Sequence, residues 1–177
     1  MDWKQVLRKL EHSKYWDEAI EFMQDVIAKD PNNMDAYIAM NYLLMNLLVE
    51  ENHDETKHDY YEILAKKYFD ESYAKFSDNP EYLYFTGKTA GMSEWFFGLE
   101  AEDVEAMLKK ASVLEPDNLV YKRGSYSCLS ICDPKNVELI NSCIKKILEK
   151  PELLDFIRSK GAVGEYLLEV HFEIRNY

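Results

Sequence analysis

Residues 16–33, Trp-Asp-Glu-Ala-Ile-Glu-Phe-Met-Gln-Asp-Val-Ile-Ala-Lys-Asp-Pro-Asn-Asn, restrict the fold more than any other stretch of the chain. Ala19, Met23 and Val26 fall at i, i+4 and i+7, one face of an α-helix, and Ile20, Phe22 and Ile27 widen the apolar stripe. Small Ala19 lets a neighbouring helix come close. Pro31 has no amide hydrogen and disfavours helical backbone at Asp30, so the helix stops there. Asn32 and Asn33 then supply turn and N-cap chemistry for the next helix. The pattern recurs. Val104, Leu108 and Ala111 carry the same spacing, and Glu115-Pro116-Asp117-Asn118 repeats Asp30-Pro31-Asn32-Asn33. Twelve residues separate Ala19 from Pro31 and also Val104 from Pro116. One spacing with one terminator, found twice, marks a chain of repeated helical units.

A third copy is weaker. In a helix over 58–76, Ala65, Phe69 and Ser72 echo the same positions, and Ser77-Asp78-Asn79 closes it with serine in place of proline. Around these three segments the pattern predicts further helices. A first one spans 2–12, with Asp2 as N-cap and Val6, Leu7 and Leu10 on its apolar face. Others span 34–51, 80–98 (opened by Pro80 after Asn79, interrupted by Gly91 and Gly98), 103–114 and 119–131. Residues 52–57 form a charged break, and Glu100 to Asp103 an acidic loop. Asp133-Pro134 starts a helix over 135–149, and Pro151 opens a short one ending near Ser159. In 165–176, Leu168, Val170, Phe172 and Ile174 alternate as in a strand, while Val163, Tyr166, Leu167, Val170 and Ile174 suit a helix. A lone strand has nothing to pair with, so a capping helix is expected.

Residues 16–33 resemble the second helix of a tetratricopeptide repeat (TPR), including the closing Asp-Pro-Asn-Asn. Tyr37, Met40 and Leu44 resemble the apolar positions of the following repeat's first helix, with Asn41 where that family usually has glycine. Gly87, eight residues after Asn79, stands where the family commonly has a close-packing glycine. The resemblance covers residues 1–150. It implies an all-α, TPR-like superhelix of stacked antiparallel helical hairpins, roughly eight to ten helices. Residues 151–177 then form a C-terminal capping segment of the same domain. The resemblance also implies a binding scaffold, which names no partner by itself.

The net charge of −12 argues against binding to duplex nucleic acid, which needs a basic footprint. It serves solubility, or it suits a basic protein partner whose opposite field steers association. No stretch approaches the roughly 18 apolar residues of a membrane span, and no apolar run follows a basic start, so a cytoplasmic location is expected. Cys128, Cys132 and Cys143 are an odd set for which reduced thiols are the default. A zinc site would need a fourth ligand, and none lies at a recognisable spacing, so neither metal nor cofactor is expected.

A search for catalytic chemistry returns little. His53-Asp54-Glu55-Thr56-Lys57-His58 lacks the i, i+4 histidine spacing of a zinc hydrolase and reads as a solvated loop. There is no glycine-rich phosphate cradle and no nucleophile elbow around any serine. The chain reads as a non-enzyme.

A binding face is the stronger reading. If first helices line a concave face, as the resemblance implies, helix 34–51 presents Asp35, Ile38, Tyr42 and Met45 there. Helix 80–92 presents Glu81, Tyr84 and Lys88, and helix 119–131 presents Arg123. Tyrosine, methionine and a few charges suit a protein contact. The alternative is that Ile38, Tyr42, Met45 and Tyr84 are buried under the C-terminal cap. Some TPR domains grip a peptide's terminal carboxylate with lysine and asparagine on successive first helices; here Ile38 and Tyr42 stand where such a set would begin. Trp95-Phe96-Phe97 cannot all face one helical core, but in a turn all three can fold under, which is the arrangement expected. The function that follows is non-catalytic protein binding, as an acidic immunity or inhibitor protein neutralising a basic toxin or nuclease. The alternative is an adaptor or chaperone holding an extended peptide segment in the groove.

Overall fold

A computed structural model describes residues 2–172. Among them the chain forms ten α-helices, two short 3-10 turns and no strand. The helices are α1 (Trp3–His12), α2 (Trp16–Lys29), α3 (Met34–Val49), α4 (His58–Phe76) and α5 (Pro80–Ala90). They continue as α6 (Ala101–Leu114), α7 (Leu119–Tyr126), α8 (Pro134–Leu148), α9 (Pro151–Arg158) and α10 (Ala162–Phe172). The all-helical expectation is met.

The Asx residues at the turns set the helix starts. Asp2, Asn33, Asn79, Asn118 and Asp133 each accept a hydrogen bond from a backbone amide of the helix that follows. Each such cap stabilises its helix by about 1 kcal/mol. Pro80, Pro134 and Pro151 occupy first-turn positions, where the missing amide hydrogen costs nothing.

Consecutive helices pack in pairs, α1 with α2, α3 with α4, α5 with α6, α7 with α8 and α9 with α10. The helices α3, α5 and α7 also contact one another in succession, and α10 returns to α3. Ala19 and Met23 are fully buried, as the stripe on α2 requires. Gly87 brings α5 close to α6: a Cβ there would stand 3.1 Å from Leu108 Cδ2. Asn41 is buried and donates to Ser72 Oγ at 3.1 Å, and Tyr82 shares the same hydroxyl at 2.7 Å. The polar residue in the glycine-like position therefore has its partner on α4, where the weaker copy carries serine instead of an aliphatic side chain.

Four differences from the sequence reading have local causes. Helix α5 ends at Ala90, and Glu94–Phe97 forms a 3-10 turn closed by Gly98 at φ 71°. Within that turn Phe97 stacks on Phe69 at 4.8 Å while Trp95 is 63% exposed, so the three aromatics do not all fold under. Helix α6 begins at Ala101 because Asp103 accepts from the Glu100 amide, making the expected acidic loop a capped first turn. Helix α7 stops at Tyr126; the Ser125 hydroxyl bonds the Lys122 carbonyl, and the last amides turn to i−3 acceptors. The tail is helical to Phe172, and the expected continuation through residue 176 lies outside the described residues.

Candidate functional site

The eight residues expected to line a binding face do not form one open surface: four are buried, the two acids meet Lys160, and the two basic residues form a separate group. Ile38, Tyr42, Met45 and Tyr84 are buried. Tyr42 packs on Tyr166 of α10 with ring centroids 5.7 Å apart, and Phe85, beside Tyr84, meets Phe156 of α9 at 5.8 Å. Of the two readings of these four side chains, an open groove or burial beneath the cap, the structure has burial. The reason is compositional: α3 is apolar almost all round, and such a helix needs neighbours on every side.

The two acidic members of the set hold this arrangement from the rim. Lys160, between α9 and α10, places its Nζ 2.9 Å from Asp35 and 2.5 Å from Glu81, with only 8% of its side chain exposed. Lys4 reaches the other Asp35 oxygen at 2.5 Å and the Ser159 carbonyl at 2.9 Å. Burial works against charge at both Asp35 and Lys160. The hydrogen bonds between them and their neighbours outweigh it, so the carboxyl titrates below its ordinary range and the amine above.

The two basic members lie at the other end. Lys88 is 7% exposed and donates to Ser127 Oγ at 2.5 Å; Arg123 Nη1 donates to the same oxygen at 3.3 Å. Burial, reinforced by repulsion from Arg123, lowers the Lys88 amine to about 7. His171 of α10 faces the same region, where burial and then the charges of Lys88 and Arg123 hold its ring down at about 3. A cavity of about 290 Å³ opens beside Lys88, walled by Gly87, Leu108, Ser127, Cys128 and His171, among others. The Arg123 Nε and the Tyr84 hydroxyl are buried without hydrogen-bond partners among the described residues.

An outward-facing patch escaped the sequence reading. Tyr60 and Ile63 of α4 are 48% and 66% exposed, one helical turn apart, and Ile63 shares a shallow cleft with Trp95 and Phe96. Glu21 lies in a cleft beside Tyr60 with no ion pair among the described residues, whereas Asp17 in the same cleft is held by Lys57 and Tyr61. The available signal was Tyr60 and Ile63 lying off the stripe that Leu64, Ala65 and Phe69 define. Periodicity assigns such residues to the outside without saying that they cluster.

The histidine segment is more ordered than a solvated loop. His53 Nε2 stands 3.1 Å from His58 Nδ1, the two rings stack, and His58 Nε2 lies 3.2 Å from Glu62. Among the described residues no group of three or more His, Cys, Asp or Glu side chains is placed to hold a metal ion, and Cys128, Cys132 and Cys143 are free thiols. No described helix is long and apolar enough to cross a membrane. Comparison with protein-family models, with curated proteins and with solved structures found no match to this chain.

Proposed function

We propose that this chain is a non-catalytic protein-binding module, a TPR-like helical array that acts as an acidic inhibitor or immunity protein toward a basic enzyme such as a nuclease toxin. The observation that carries the reading is the outward patch of Tyr60, Ile63 and Trp95, with Glu21, which forms no ion pair among the described residues, in the cleft beside Tyr60. Interface cores favour tryptophan and tyrosine, and a charged rim steers the partner. The overall charge of −12 adds a long-range attraction to any basic surface. The competing adaptor reading needs the inner face for an extended peptide, and that face carries α9 and α10.

The test is capture of partners at low salt from the native organism, using the wild-type chain and a Ile63→Ser/Trp95→Ala variant in parallel. The expected result is one basic protein at equal stoichiometry, released by high salt, lost with the variant and inhibited in a nuclease assay by the wild type. Capture that the variant leaves unchanged, or an association rate insensitive to salt, overturns the assignment.

A further inference from the structure

We propose that the cavity beside Lys88 is a binding site for a small tetrahedral oxyanion, of the phosphate or sulfate type, free or as the head of a small ester. The inference does not depend on the identity of any protein partner. Its basis is a surplus of donors. Ser127 Oγ accepts from both Lys88 and Arg123, which uses its lone pairs and leaves its own hydrogen to donate elsewhere. Lys88 keeps two further protons when charged, and no carboxylate forms an ion pair with it or with Arg123 among the described residues. A buried lysine beside a half-buried guanidinium, with no counter-ion among the described residues, is costly to charge, and an anion with several oxygens suits the lysine and the hydroxyl on the cavity wall with the guanidinium next to them.

The groups facing Lys88 come from every neighbouring element. Arg123 reaches it from α7, Ser127 and Cys128 from the turn after α7, and His171 from α10. Glu94 and Glu105 stand on the cavity wall, where Glu105 is held at 2.8 Å by Lys109. The cavity, about 290 Å³, offers room for such an anion together with water, whose share of the liquid is about 30 Å³ per molecule. An anion there favours the charged amine, so binding above neutral pH takes up a proton at Lys88.

Sulfate is the first probe because its charge does not change between pH 6 and pH 9. Its general stabilising effect as a salt is separated by two variants, Lys88→Met and Arg123→Gln, each checked for unchanged helical circular dichroism. The wild type should show saturable sulfate binding by calorimetry and a thermal shift beyond that of chloride at equal ionic strength, with affinity at least tenfold lower in both variants. At pH 8 the wild-type binding heat should vary with buffer ionisation enthalpy, reporting proton uptake. Inorganic phosphate and glycerol 3-phosphate, compared in the same way, separate a free anion from an ester. An unsaturable response equal in all three proteins, or no saturable sulfate binding by the wild type, overturns the proposal. The last measurement needs no variant to fold.

Discussion

Lys160 Nζ stands 2.9 Å from Asp35 Oδ1 although 125 residues separate the two in the chain. The same ammonium reaches Glu81 and lies 5.4 Å from the centre of the Phe156 ring. One side chain thus ties the connection between α9 and α10 to both α3 and α5.

Replacing that amine should loosen the C-terminal helices first. Lys160→Met leaves Glu81 without its partner and Asp35 with Lys4 alone, and should destabilise the protein by about 2–3 kcal/mol. Urea unfolding reads the loss, and hydrogen exchange should rise in α9 and α10 before it rises in α2. Uniform exchange, or no shift in the urea midpoint, would show that the contact holds nothing in place.

Gly164 makes a sharper prediction about the same region. A Cβ at this position would collide with the carbonyl oxygen of Ile157 across the α9–α10 contact, and backbone cannot rotate out of the way as a side chain can. Gly164→Ala should therefore cost more than Gly161→Ala in near-ultraviolet signal and in melting temperature. Gly161 is the counter-case: its φ is +68° but nothing lies near its missing Cβ, so strain there is confined to one residue.

Two acid-range titrations should oppose each other. Burial, then repulsion from Glu165, raises the Glu11 carboxyl to about 7. Its folded state holds a proton that the unfolded chain has lost, so this group's contribution falls as pH rises from about 4.5 to 7. His171, lowered to about 3, is neutral when folded while the unfolded ring charges below 6.5, so its contribution is lost as pH falls through that window. Glu11→Gln should steepen the loss of stability on acidification between pH 6.5 and 4.5, and His171→Phe should flatten it. Parallel pH profiles for the two variants would refute both assignments.

The buried amine gives a third slope. Lys88 is neutral when folded and charged when unfolded between pH 7 and 10.5, so stability from this site rises with pH across that interval. Lys88→Met should stabilise the protein below pH 7 and lose that advantage steadily toward pH 10. Measured with sulfate absent, a constant difference at all pH values would mean that the amine is charged in the folded chain.

The helical architecture could be read from few residues. Ala19, Met23, Pro31 and the capping asparagines carry local physics, a stripe and a stop, which neighbours do not alter. Segment 58–76 matches closely because its charged entry and its Ser-Asp-Asn exit are both local signals. The face formed by Asp35, Ile38, Tyr42 and Glu81 was legible as a face, and burial under the C-terminal cap was one of its two readings, but which residues of the cap cover it was not legible. Those residues, Lys160 with Tyr166, lie far along the chain, where no periodicity links them to α3. The pairing of Lys88 and Arg123 through Ser127 escaped for the same reason: both read as separate contributors to a binding face, and no periodicity links one to the other.

Because α10 packs against α3, the large side chains of α3 and α5 have no complete covering until α9 and α10 have been made. During synthesis Tyr42 and Phe85 leave the ribosome long before Tyr166 and Phe156 exist to meet them. The early helices must wait in a partly exposed form, open to chaperones and to one another. A stalled or shortened product lacking α9 and α10 is therefore a sticky molecule, and quality control has reason to remove it.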